Sequence, residues 1–154
     1  MSKRAWRAIG IGLFWLLWPA LIVYINRSER ARILVVHGDE LLLVKPWLGA
    51  GSWGLPGGGL HPGEPVLDAC LRELREETGI SLQKAQVKNL FSGTYKERGF
   101  RYRCHYFVAE LSEKLLVTTQ RLEIAEYAWV NRHKLNPKTC QSDTLTTVTA
   151  WFET

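Results

Sequence analysis

An unbroken apolar run opens the chain: the 18 residues from Ala8 to Ile25 carry no charge and no strongly polar side chain. At helical rise such a run spans roughly 27 Å, just enough for a hydrocarbon core of about 30 Å. Trp6 and Tyr24 stand near its ends, where interfacial aromatics sit, and Pro19 is a residue that membrane helices tolerate. A cleaved signal peptide would have a shorter apolar core and a small-x-small site after it. A buried helix of a soluble domain would need partners around its whole circumference. The pattern therefore predicts one uncleaved transmembrane helix, about 8–25, within an anchor covering residues 1–29.

The pattern then changes. Ala31–Val36 and Glu40–Lys45 read as strands joined by the turn His37-Gly38-Asp39. Pro46 to Gly59 is loop-rich. Gln86–Tyr95 and Arg101–Leu111 alternate as a strand pair, and Glu126–Val130 as a further short strand. Ser142-Asp143 is the expected cap of a closing helix that runs to Phe152. Between these strands, Pro65 suits a first helical position and Gly79 the residue just past a helix end. Leu67, Leu71, Leu74 and Thr78 give that helix an apolar stripe. The order of elements predicts a mixed α/β domain over residues 30–154.

The helix between Pro65 and Gly79 carries its chemistry on another face. Glu73, Glu76 and Glu77 are i, i+3 and i+4 neighbours, and Arg72 stands beside them. Three like charges on one turn repel, and a hard divalent cation is the natural reason to gather them, since Mg²⁺ takes oxygen ligands and shares them with phosphates.

Composition adds limits. The chain is 46% apolar with seven Trp, which excludes a disordered composition. Its formal charge is +5, but six basic side chains and one acid lie within residues 1–32, and the rest is balanced. The basicity is thus expected to belong to the N-terminal flank, and specific nucleic-acid binding is not expected. Cys70, Cys104 and Cys140 form no CxxC pair, so neither zinc nor a disulfide framework is predicted. Cys70 is expected to pack as a small apolar group.

The residues from Gly58 to Ile80 resemble the Nudix box: a glycine, five residues, Glu, seven residues, then Arg-Glu-aliphatic-x-Glu-Glu-x-Gly-aliphatic. Gly58, Glu64, Arg72, Glu73, Leu74, Glu76, Glu77, Gly79 and Ile80 fill every specified position. At average residue frequencies the chance of such a match is on the order of 10⁻⁹ per starting position. The resemblance implies a Nudix-like α/β/α sandwich with a mixed sheet, here preceded by one transmembrane helix. It also implies a Nudix-type pyrophosphohydrolase that cleaves the diphosphate linkage of a nucleoside diphosphate derivative. The implied cofactor is Mg²⁺, with Mn²⁺ as a substitute.

By the same resemblance, Glu76 and Glu77 are metal ligands, and Glu73 shares the metal or acts as general base, oriented by Arg72. Gly57 would offer a backbone carbonyl to the metal. Gly58, Glu64 and Gly79 hold the shape of the box. An acid from a downstream loop completes the set, with Glu123 preferred over Glu126. Lys45, Arg98, Arg101 and Arg103 are candidates for phosphate contact, and Trp47, Trp53, Tyr95 and Phe100 for base stacking, without a substrate-binding residue being fixed. His37, His61, His105 and His133 have no spacing that implicates a metal.

Two rival functions stand beside this one: a non-catalytic Nudix-like ligand-sensing module, and a hydrolase of a lipid-linked diphosphate. The intact Arg72, Glu73, Glu76 and Glu77 argue against the first. Flanking charge alone slightly favours export of the domain, whereas nucleotide substrates, Mg²⁺ and free thiols favour a single-pass membrane protein with its catalytic domain on the cytoplasmic face.

Overall fold

The structure, a computed structural model, describes residues 3–119 and 123–153. Helix α1 (Lys3–Ile25) leads into β1 (Glu29–His37) and β2 (Glu40–Pro46), followed by β3 (Gly57–Gly59) and α2 (Val66–Thr78). A 3₁₀ turn at Lys84–Gln86 precedes β4 (Lys88–Glu97), β5 (Phe100–Glu110) and β6 (Ile124–Asn131), and α3 (Ser142–Phe152) closes the chain. One mixed sheet runs in the order β4-β5-β1-β2-β6, and β3 pairs with β1. β1 and β5 are parallel, while the remaining pairs are antiparallel.

Alternation along β1 divides the core into two layers, because successive strand side chains point to opposite faces. Ala31, Ile33 and Val35 pack with Phe107 and Ala109 against Cys70, Leu74 and Ile80, on the side of α2. Leu34 and Val36 pack with Tyr102, Cys104, Tyr106 and Val108 on the other side, toward Val148 of α3. This is the α/β/α sandwich expected from the sequence. All three cysteines are free and buried.

Several local expectations shift. Pro65 is the N-cap of α2 in extended conformation, one position before the helix. Its buried residues are Ala69, Cys70, Leu74 and Thr78, while Leu67 and Leu71 are only half-buried. Small side chains, Ala69 and Cys70, thus form part of the helix face turned to the core. Gly79 ends α2 at φ 73°, with its N–H donating to the Arg75 carbonyl at 2.8 Å. Gln86 lies in the 3₁₀ turn, so β4 begins later than expected and continues to Glu97. Gln141, not Ser142, is the N-cap of α3. The Ser142 N–H and hydroxyl both donate to Glu97 Oε2, at 3.1 and 2.8 Å, tying α3 to the β4–β5 hairpin.

Helix α1 is longer than the apolar run and passes through Pro19 without interruption. Its stretch Ala5–Ile25 is long and apolar enough to cross a membrane. One side packs on the domain, with Gly10 and Phe14 buried, while Ile9, Leu16, Val23 and Tyr24 on the other side are exposed.

Candidate active site

β3 and α2 build the acidic site together. Gly57 has φ 141°, and a Cβ there would lie 2.1 Å from the Ala31 carbonyl oxygen, so only glycine lets β3 close on β1. A Cβ on Gly58 would lie 2.4 Å from the Glu73 carboxyl carbon. The loop backbone thus lies directly against the acidic turn.

Arg72 is the hub. Its Nε and Nη2 donate to the two oxygens of Glu64 at 2.8 and 3.0 Å, and Nη2 also donates to the Gly59 carbonyl at 2.9 Å. Nη1 donates to Glu73 at 2.8 Å and to Glu76 at 3.0 Å. One guanidinium therefore gathers three carboxylates and fixes loop to helix. Hydrogen bonds from Arg72 and from the His61 N–H hold the Glu64 carboxyl down at about 2. Burial raises Glu73 above the usual carboxylate range, against the pull of Arg72.

Glu77 points elsewhere. Its Oε2 accepts the Gly57 N–H at 2.8 Å, and it opens onto the cleft described below. Burial pushes its carboxyl up to about 8, only partly opposed by the Gly57 N–H and by the charges of Arg32 and Arg30. Glu77 is half-buried and faces the cleft, where a divalent cation would stabilise its charged form. Among the described residues no three His, Cys, Asp or Glu side chains converge on one point. Glu73 and Glu76 are turned to Arg72, and Glu77 to Gly57. The donor chemistry, three carboxylates on one turn beside a glycine backbone, nevertheless fits a hard cation.

The remaining candidates are dispersed. Glu123 is exposed just before β6, and its carbonyl accepts the Trp47 N–H at 2.7 Å. Glu126 is held by Arg7 at 2.8 Å and Lys45 at 3.2 Å. Lys45 also sits 4.1 Å from the Trp53 ring centroid, and Trp47 stacks on Trp6 at 4.7 Å. Arg103 is exposed near Glu29, and Arg101 is exposed on the β4–β5 hairpin. Of the stacking and phosphate candidates, Tyr95, Arg98 and Phe100 line the cleft.

A cleft of about 220 Å³ lies beside Glu77 and Gly57. Two residues that sequence reasoning missed, Arg30 and Arg32, form its basic wall. Their charges were expected to belong to the N-terminal flank; the structure corrects this, because they share one face of β1 as i and i+2 neighbours. That alternation was the available signal. Arg32 is buried, bonded to Asp143 at 2.9 Å, to the Tyr102 hydroxyl at 3.1 Å and to Gln141. Its guanidinium lies 5.5 Å from the Tyr95 ring, that of Arg30 lies 5.6 Å from Tyr102, and the two tyrosines stack at 4.8 Å. Cations and aromatic faces thus alternate beside the acidic turn.

Comparison with known proteins identifies the family. The NUDIX domain family matches residues 19–152. An uncharacterized Nudix hydrolase, YvcI, of Bacillus subtilis is 46% identical over 76 residues, which cover 49% of this chain and 46% of the relative. The nucleoside triphosphatase NudI of an Enterobacter species is 34% identical over 97 residues, covering 56% of this chain and 66% of that one. The chain spans less than half the length of the Bacillus relative. A MutT NUDIX hydrolase from Burkholderia pseudomallei shares the fold with a TM-score of 0.71 at 23% identity, covering 80% of this chain and 97% of that structure. The chain belongs to the Nudix hydrolase family.

Proposed function

We propose that the protein is a metal-dependent pyrophosphohydrolase that cleaves the diphosphate linkage of a nucleoside diphosphate derivative. The observation that carries the reading is Glu77. It sits on an acidic turn with Glu73 and Glu76 and opens onto a cleft whose wall is Arg30 and Arg32. Carboxylates for a cation and guanidinium groups for phosphate oxygens thus meet at one place. The nucleoside triphosphatase named among the relatives supports a nucleotide as substrate.

Glu73, Glu76 and Glu77 would hold the cation, with the Gly57 carbonyl and Glu123 as further ligands. Bound Mg²⁺, or Mn²⁺ in its place, neutralises phosphate charge and acidifies water. Arg72 keeps Glu73 in one orientation, so that its carboxylate can take a proton from the attacking water. Gly58, Glu64 and Gly79 keep loop and helix in register for this. Arg30 and Arg32 bind the phosphate chain beside Glu77.

Glu77→Gln tests the reading. It should abolish Mg²⁺-dependent release of phosphate or nucleoside monophosphate while leaving the circular dichroism spectrum unchanged. Retained turnover would overturn the metal assignment.

We further propose that α1 attaches the chain to a membrane, with the catalytic domain on the cytoplasmic face. Residues 1–29 then form the attachment and residues 30–154 the catalytic domain. The exposed apolar side of α1, with Ile9, Leu16, Val23 and Tyr24, supports attachment along that face. Sedimentation with lipid vesicles tests it, since an attached chain leaves the supernatant.

A further inference from the structure

Helix α1 does more than lie near the domain. It touches both rims of the cleft. On the 46–51 loop, Trp6 stacks on Trp47, and the Trp47 Nε1–H donates to the Trp6 carbonyl at 3.0 Å. Arg7 pairs with Glu126 at 2.8 Å. A Cβ on Gly10 would lie 2.2 Å from the Trp47 carbonyl oxygen, so the helix sits as close as a glycine allows. At the β4–β5 hairpin, Ile22 and Trp18 of α1 lie against Gly99, and Asn26, just after the helix, donates to the Gly99 carbonyl at 3.1 Å and accepts the Arg101 N–H at 2.6 Å.

Between these two attachments, Phe14 and Ile25 become part of the cleft wall. Phe14 is only 6% exposed, and its ring lies 6.2 Å from that of Phe100. Phe100 stands six residues along β5 from Tyr106, the register partner of Arg32, which in turn pairs with Gly57. That is about 20 Å of strand, before the side chains reach back over the cleft. Phe14 and Phe100 thus lie at the end remote from Glu77, with the stacked Tyr95 and Tyr102 between. The cleft is graded from carboxylate and guanidinium at one end to aromatic rings at the other.

We propose that Phe14 of α1 is a specificity-determining residue, holding the planar base of a nucleotide whose phosphates lie toward Glu77. The proposal rests on the reading of this cleft as the substrate site. At that end Phe14, Ile25 and Phe100 supply apolar and aromatic wall beside the polar Glu97 and Arg98 of the hairpin, and a base has a π-face that such rings accept. Phe14 precedes residue 19, where the family match begins, while Ile25 and Phe100 lie within it. With Phe14 turned inward, the outward residues Ile9, Trp15, Leu16 and Val23 are those left for lipid.

The test uses the full-length protein with Mg²⁺, ATP as the nucleotide probe and inorganic tripolyphosphate as a probe that lacks the base. Phe14→Ala should raise KM for ATP about tenfold, the value of one lost stacking contact, with kcat within about twofold. The inhibition constant of tripolyphosphate should stay unchanged. Gly10→Ala should do the same by pushing α1 off Trp47, whereas Gly12→Ala, whose Cβ meets nothing within 4 Å, should match the wild type. Equal weakening toward both probes, or no change toward either, would overturn the proposal. The same substitutions in the Glu77→Gln chain, read by ATP binding, report on Phe14 without turnover. Failure of the wild type to hydrolyse ATP would count against the proposed function and leave that binding measurement to decide the role of Phe14.

Discussion

Arg72 donates to both carboxylate oxygens of Glu64, at 2.8 and 3.0 Å, and so joins the loop before α2 to the middle of the helix. Neither side chain reaches the cleft. Their pairing acts by fixing where Arg72 stands, and through it Glu73 and Glu76. Glu64→Gln should therefore lower kcat about 10- to 100-fold, the scale of a misplaced catalytic group, with little change in KM. The Glu64 carboxyl is held down at about 2, below its value in an unfolded chain. A depressed acid stabilises the fold above its unfolded pKa and loses that contribution as pH falls through the folded one. The melting-temperature gap between wild type and variant should be constant above about pH 5 and close toward pH 2.

Gly58 offers a test of spacing. Its missing Cβ is the room Glu73 occupies, since a methyl there would fall 2.4 Å from that carboxyl carbon. Gly58→Ala should displace Glu73 from Arg72 and cost about 1–3 kcal/mol of stability through overpacking. Urea denaturation reads the stability and Mg²⁺-dependent turnover reads the displacement. A variant with normal kcat would show that the position of Glu73 is immaterial.

Much of this site is legible in the sequence because it is local. Glu73, Glu76 and Glu77 fall together by helical period alone, and Gly79 marks the helix end by its backbone freedom. What escapes is set by long-range pairing. Arg30 and Arg32 look like part of a basic flank until β1 puts both on one face beside β3. The strand Gly57–Gly59 has no side chains to announce it; it forms because β1 pairs with β2 only near Val36 and His37, leaving its first half open. In α1 every face is apolar, so nothing in the pattern says which side meets the domain. Contact with Trp47 and Phe100 decides it.

The buried pair Arg32–Asp143 makes a prediction about stability that is separate from the proposed metal site. Asp143 Oδ2 meets Arg32 at 2.9 Å and accepts the Tyr106 hydroxyl at 3.0 Å, and both ionic residues are buried. Asp143→Asn would leave a buried guanidinium without its counter-charge, a loss of about 3–5 kcal/mol. The variant should unfold at markedly lower urea. Replacing both residues, Arg32→Met with Asp143→Leu, should recover part of that stability while weakening ATP binding, because the cleft loses a cation.

The proposed membrane attachment depends on the side of α1 that the domain leaves open. Leu16 is 76% exposed there and takes no part in the contacts with Trp47 or Phe100. An aspartate near the middle of a lipid-embedded helix costs about 2.5–3.5 kcal/mol, which corresponds to about a hundredfold in partitioning. Leu16→Asp should thus shift the protein from sedimenting with phosphatidylcholine–phosphatidylglycerol vesicles to remaining in solution. Its kcat and KM for ATP in the absence of vesicles should be unchanged, since the substitution faces away from the cleft. A wild-type chain that stays in solution beside such vesicles would show that the apolar outer face of α1 serves something other than lipid.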